Sequence, residues 1–119
     1  MKVILGRLQI SVDSLSRLAN EPKLSVKQKY ELSRFITTVD KELKHGDKVK
    51  DQILAQFDQE KGKDWRDNKE HVQQFINDYN DLLQQEVEFG FDKFSISNLP
   101  EETTLTAADF NKLDWFLEE

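Results

Sequence analysis

The chain has 119 residues, 37% hydrophobic and 34% charged, with a net charge of −6 and a mean hydropathy of −0.72. That length suits one domain with a thin core, and the acidic balance argues against general affinity for nucleic acid or anionic membrane, whose binding draws on cationic contacts. The absence of cysteine excludes a disulfide framework and thiolate metal sites, while eight Phe, two Trp and two Tyr at regular spacing speak for a folded chain rather than a disordered one.

In chain order, residues 1–22 open with Val3, Ile4, Leu5, Leu8 and Ile10, a short β-rich run with Gly6 suited to a bulge, and this predicts one strand. The run is too short for a signal peptide and no stretch reaches the length of a bilayer span, so the expectation is a soluble, cytoplasmic protein. Val12, Leu15, Leu18 and Ala19 fall at helical spacing and predict a helix of about two turns, closed by Glu21-Pro22.

Ser25 with Gln28 forms a capping box and starts a long helix over 25–57. Tyr30, Leu32, Phe35, Ile36, Val39 and Leu43 make its apolar stripe, and Gly46, Val49, Ile53 and Phe57 continue it in phase. The unbroken register favours a single helix on the order of 50 Å long over a break at Gly46 with Asp47 capping a second one. Residues 58–67 (DQEKGKDWRD) read as a charged tip in which Trp65 either folds back on the helix ends or serves as an anchor. A return helix over 68–88 follows, with Val72, Phe75, Ile76, Tyr79, Leu82, Leu83 and Val87 on one face.

The period then changes. Val87, Phe89 and Phe91 alternate, as do Phe94 and Ile96, in the manner of a half-buried strand or hairpin edge, which predicts a strand near 94–97 pairing with the N-terminal strand. Thr106 and Asp109 form a second capping box, and Phe110, Leu113, Phe116 and Leu117 predict a helix running to the C-terminus. The expected fold is therefore mainly α: a single domain, 1–119, made of a long antiparallel helical hairpin and a small α+β cap. Trp65, Phe89, Phe91, Trp115 and Phe116 are the candidate partner contacts, because large aromatics dominate many interfaces.

The charge is divided. Up to Lys50 there are eleven Lys and Arg against six Asp and Glu; from Asp51 onward there are six against seventeen. Either the basic arm lies beside the acidic arm and the two neutralise, or an acidic face is offered to a basic partner. The one basic cluster, Lys41, Lys44, His45, Lys48 and Lys50, is interleaved with Asp40, Glu42, Asp47 and Asp51 and reads as a solvated helix face. No residues suggest chemistry. Glu70-His71 lacks a second histidine at helical spacing, the four glycines are isolated, and there is no serine nucleophile elbow. No enzyme activity, cofactor or metal is expected.

The segments VILGRL, KYELSRFI and ELK, then FINDYNDLLQQEVEF, SISNLP and TLTAADFNKLDWFLEE span nearly the whole chain. In layout and spacing this resembles the small, acidic, helical proteins of unknown function found in tailed bacteriophages and prophages. The resemblance supplies no catalytic residue. It implies a viral protein of the bacterial host cytoplasm, acting in particle assembly or in disabling a host system. The expected role is a non-enzymatic interaction or assembly protein, expected as a homo-oligomer, with itself or a host or phage protein as partner. The alternative is an acidic inhibitor of a host defence or nucleic-acid-processing protein.

Overall fold

The Ser25 hydroxyl accepts from the Gln28 N–H at 3.2 Å while the Gln28 side-chain oxygen accepts from the Ser25 N–H at 2.9 Å. This reciprocal cap satisfies two donors that a helix start otherwise leaves free. From it helix α2 runs unbroken over Val26–Lys61 in a computed structural model that describes all 119 residues, Met1–Glu119. Gly62, at φ +80°, ends it in a conformation a side chain would strain. At 1.5 Å per residue, 36 residues span about 54 Å, which matches the molecule's long dimension of 54 Å against 25 and 21 Å across.

The single helix expected through Gly46 is what forms, and the glycine has a packing reason. A Cβ built there would lie 2.8 Å from Leu5 Cδ2. Leu5 begins helix α1, Leu5–Ala19, whose Leu5, Leu8, Leu15 and Leu18 are buried together with Ser11 and Ser14. The strand expected over Val3–Ile10 is therefore cut to β1, Lys2–Ile4, and the two-turn helix expected from Val12 begins a full seven residues earlier. The helical stripe was obscured because two of its core positions are serines.

Beyond Gly62 the tip is a 3-10 turn, Lys63–Asp67, with helical residues reaching further into 58–67 than expected. Asn68 caps the return helix α3, Lys69–Leu83, through its side-chain oxygen and the N–H groups of Glu70 and His71. Helix α3 stops five residues short of the expected bound. The chain turns at Gln84 and enters β2, Glu86–Glu88, which pairs antiparallel with β1, Val3 opposite Val87. This corrects the expected pairing of the N-terminal strand with 94–97. The strand β3, Phe94–Ser95, instead pairs in parallel with β4, Leu117–Glu118. The helix expected to reach the C-terminus is only α4, Ala107–Lys112. Its Thr106–Asp109 capping box forms as read, but Phe116 and Leu117 leave helical geometry so that β4 can close against β3.

The core and the hairpin are unequally shared. Fifteen residues form one apolar cluster, drawn from Val3 to Val39 and from Phe89 to Leu117. None comes from the outer hairpin, where α3 buries no residue fully. There a smaller aromatic group holds the tip: Trp65 lies 5.1 Å from Phe57 and 5.4 Å from Phe75 between ring centroids, and its indole N–H donates to Asp58 at 2.7 Å. The molecule is thus a globular base with a two-helix arm, both built on α2.

The opposite charges of the two halves do not meet along the arm. No ion pair joins α2 to α3. Three of the four pairs in the chain tie the N-terminal region to the C-terminal half at the base: Lys2 to Glu88, Arg7 to Asp114 and Arg17 to Asp109.

The Gly46 contact makes a graded prediction for urea unfolding. Gly46→Ala gains about 1 kcal/mol of helix propensity, which offsets displacement of the Leu5 tip, and stability should stay within about 1 kcal/mol of the parent. Gly46→Leu cannot be accommodated by moving one methyl and should lose about 2–3 kcal/mol; equal tolerance of both changes would contradict the packing described.

Candidate functional site

On the base, the first turns of α2 and the segment 90–98 face each other across a cleft of about 580 Å³. Its floor is aromatic and aliphatic, with Leu32 and Phe35 from α2, Phe91 and Phe94 from the segment, and Phe116 from the C-terminal turn. Phe35 organises this floor. Its ring stacks on Phe116 at 4.5 Å and 6°, and meets Phe89 and Phe91 edge-on at 5.1 and 5.4 Å, the geometries that aromatic quadrupoles favour. Glu31 and Arg34 stand on one wall and Asp92 and Lys93 on the other. None of the four forms an ion pair within the chain. The cleft thus joins an apolar floor to two free charges of each sign, a composition suited to seating a side chain and orienting it.

The C-terminal part of this floor is held by polar tethers buried against α1. The Asp109 carboxylate accepts from Arg17 Nε at 3.0 Å to each oxygen, from Ser14 Oγ at 2.7 Å and from the Thr106 N–H at 2.9 Å. The Arg17 guanidinium, followed by the backbone and hydroxyl donors, holds this carboxyl well below the usual carboxylate range against the opposing effect of burial. Ser11 Oγ accepts from the Trp115 indole N–H at 3.0 Å and lies within reach of the Arg7 and Lys112 carbonyls. Beyond the end of α1, Glu21 Oε2 accepts from the Thr104 N–H and from the Thr103 and Thr104 hydroxyls at 3.0–3.2 Å. Those donors, the Thr104 N–H foremost, lower its pKa.

The structure separates the five aromatics proposed as partner contacts. Phe89, Phe91, Trp115 and Phe116 gather around Phe35, whereas Trp65 is at the far end of the arm. Trp65, Phe89 and Phe116 are buried, and only Phe91 and Trp115 keep partial exposure. Of the two readings open for Trp65, it folds back on the helix ends. Tyr30, expected on the apolar stripe of α2, is instead 64% exposed, because with Val26, one turn before it, it lies on the side of the helix away from Leu32 and Phe35. Arg34 and Lys93 were not expected as cleft residues, since their two segments meet only in the fold.

A second, smaller cleft of about 330 Å³ lies between the middle of α2, with Glu42, His45 and Gly46, and the turn from α3 into β2, with Leu82 and Val87; Leu5 is its one contribution from α1. No group of three His, Cys, Asp or Glu side chains is arranged to hold a metal ion, and no helix is long and apolar enough to cross a membrane. Comparison with models of known protein families, with curated proteins and with solved structures returns no match.

The tethers predict acid sensitivity. Asp109 and Glu21 are more acidic in the folded chain than in the unfolded one, so their contribution is complete above the unfolded carboxylate range, about pH 4, and is lost as pH falls toward the folded values. Thermal melting followed from pH 6 to pH 3 should show a falling midpoint. Asp109→Asn should cost about 2 kcal/mol at neutral pH and flatten that decline; a variant as steeply acid-sensitive as the parent would assign the decline to other groups.

Proposed function

We propose that this chain is a non-enzymatic interaction or assembly protein that self-associates, with its long helical hairpin as the platform. The observation that carries the reading is the amount of surface one chain leaves open. A compact monomer of 14.0 kDa exposes about 6,700 Å²; this chain exposes 7976 Å². Its radius of gyration is 17.9 Å, where a compact domain of this length has about 13.5 Å. The surplus of about 1,300 Å² exceeds the roughly 800 Å² that each partner contributes to a standard interface. Pairing would cover area that the thin core leaves in water.

The layout resemblance supplies the setting: a tailed bacteriophage or prophage, with the protein at work in the host cytoplasm during assembly or interference with the host. A second reading, an acidic inhibitor of a host nucleic-acid-processing protein, is favoured by one specific feature. Glu70, Asp78 and Asp81 on α3 are exposed and stand outside every ion pair, as do most carboxylates after Asp51. That reading requires a complex whose affinity falls steeply with salt.

Light scattering coupled to size exclusion tests the primary reading. The expected result is a mass above the 14.0 kDa of one chain that rises with concentration across the micromolar range. A mass that stays at one chain up to on the order of 100 µM would contradict it.

A further inference from the structure

We infer that the solvent face of α2 is a binding surface for the phosphate backbone of duplex DNA, carried by Lys27, Arg34, Lys41, Lys44 and Lys48. In the sequence the last three of these alternate with Asp40, Glu42, Asp47 and Asp51, which reads as mutual neutralisation. The unbroken helix sorts them. At about 100° per residue, all five cations fall within about 60° of the Lys41 direction, whereas every carboxylate of Val26–Lys61 lies about 80° or more from it. The core residues Leu32, Phe35, Val39 and Phe57 occupy the opposite side, at about 120–180°. The five cations are exposed, and none of them joins an ion pair.

Lys27, Arg34, Lys41 and Lys48 recur at every seventh residue, so the stripe runs along the helix axis for about 32 Å at 1.5 Å per residue. One duplex turn is about 34 Å. A line of cations with no carboxylate among them is what the displacement of counterions from a phosphate backbone requires. Tyr30, Gln52 and Gln59 share the stripe and are side chains that hydrogen-bond phosphate oxygens. A protein partner would need an apolar centre to the contact, and here the large apolar side chains, Val26 and Tyr30, stand at one end. A single strand would need a row of aromatic platforms, and Tyr30 is the one aromatic on the stripe. The excess acid that gives the chain its net charge of −6 lies on other faces, where it repels phosphate and restricts the duplex to this side. Contacts to the backbone carry no base sequence, so the binding is non-specific. Base and arm both pack against the other side of α2, and the inference does not depend on self-association.

Fluorescence anisotropy of a labelled duplex of about two turns, titrated at several salt concentrations, tests it. The affinity should fall as salt rises, with a log–log slope of about −4 for five phosphate contacts. Lys41→Gln with Lys48→Gln should weaken binding at least about tenfold at about 50 mM salt and make that slope shallower by about 2. Lys29→Gln with Lys63→Gln removes the same charge from exposed positions off the stripe and should leave the slope unchanged. Glutamine matches lysine in helix propensity, so circular dichroism should match the parent for both pairs. No binding at about 50 mM salt with protein up to on the order of 100 µM would overturn the inference, and so would equal losses from the two pairs. Polyglutamate that displaces the duplex as readily, at equal charge, as unlabelled duplex does would overturn it as well and assign the stripe to an acidic protein.

Discussion

The contact between Leu5 and the bare backbone of Gly46 is the constraint on which the rest of the structure depends. It lets the first turn of α1 press against the middle of α2, and in doing so sets the point where three elements meet. At that point β1 leads into α1, and α3 has just ended and handed the chain to β2. Gly6, the next residue, packs against Leu83 at the end of α3. A methyl at 46 would meet only the tip of Leu5, whereas a side chain of leucine's size would push α1 away and open the junction. Glycine in a helix interior costs about 1 kcal/mol relative to alanine, and here the close approach offsets it. The glycine that looks in sequence like a helix breaker is what allows the helix to be packed at its centre.

From that junction the chain divides its physics. Toward the N-terminus of α2, apolar burial and buried polar tethers act together: Asp109, Glu21 and Ser11 fasten the C-terminal segment to α1, while Phe116 and Trp115 complete the cluster around Phe35. A buried carboxylate is a liability unless its oxygens are satisfied, and the donors on Asp109 come from α1 and from the cap of α4 alike. The short helix α4 is thereby fixed in angle as well as position. Toward the C-terminus of α2, the arm depends on Phe57, Trp65 and Phe75 at its tip and on a half-buried stripe along its length. Sparse burial of this kind makes the arm the region expected to open most readily.

Long-range periodicity made the large features legible. The Ser25–Gln28 box, the stripe carried in phase through Gly46 and the apolar face of α3 were all readable because each repeats over several turns. The short strands were not. Two or three residues give too little alternation to fix a strand's bounds or partner, so Val87 read both as the end of the return helix and as the start of an alternating run, and Leu117 as part of a helix. Leu5 and Leu8 read as strand because Ser11 and Ser14, which complete their helical stripe, look like surface residues. Nothing in the sequence distinguishes a serine that bonds a buried aspartate from one in water, and Asp109 was legible only as a cap residue. The cleft was half visible: its phenylalanines drew attention through their density, whereas its charged walls come from segments some sixty residues apart and meet only in the fold. Function left less trace still, because the features that favour self-association are an area and a shape.

The central claim is that α2 is one continuous spine, with the base on one half and the arm on the other. Because the chain contains no cysteine, labels can be placed singly and without background. Spin labels at Lys27→Cys and Gln59→Cys, both exposed positions on α2, diluted with unlabelled chain and measured by pulsed dipolar spectroscopy, test it directly. An unbroken helix predicts a narrow distance distribution centred near a backbone separation of about 48 Å. A broad distribution, or one centred well below that, would mean that the helix bends or breaks near Gly46, and the account would be wrong.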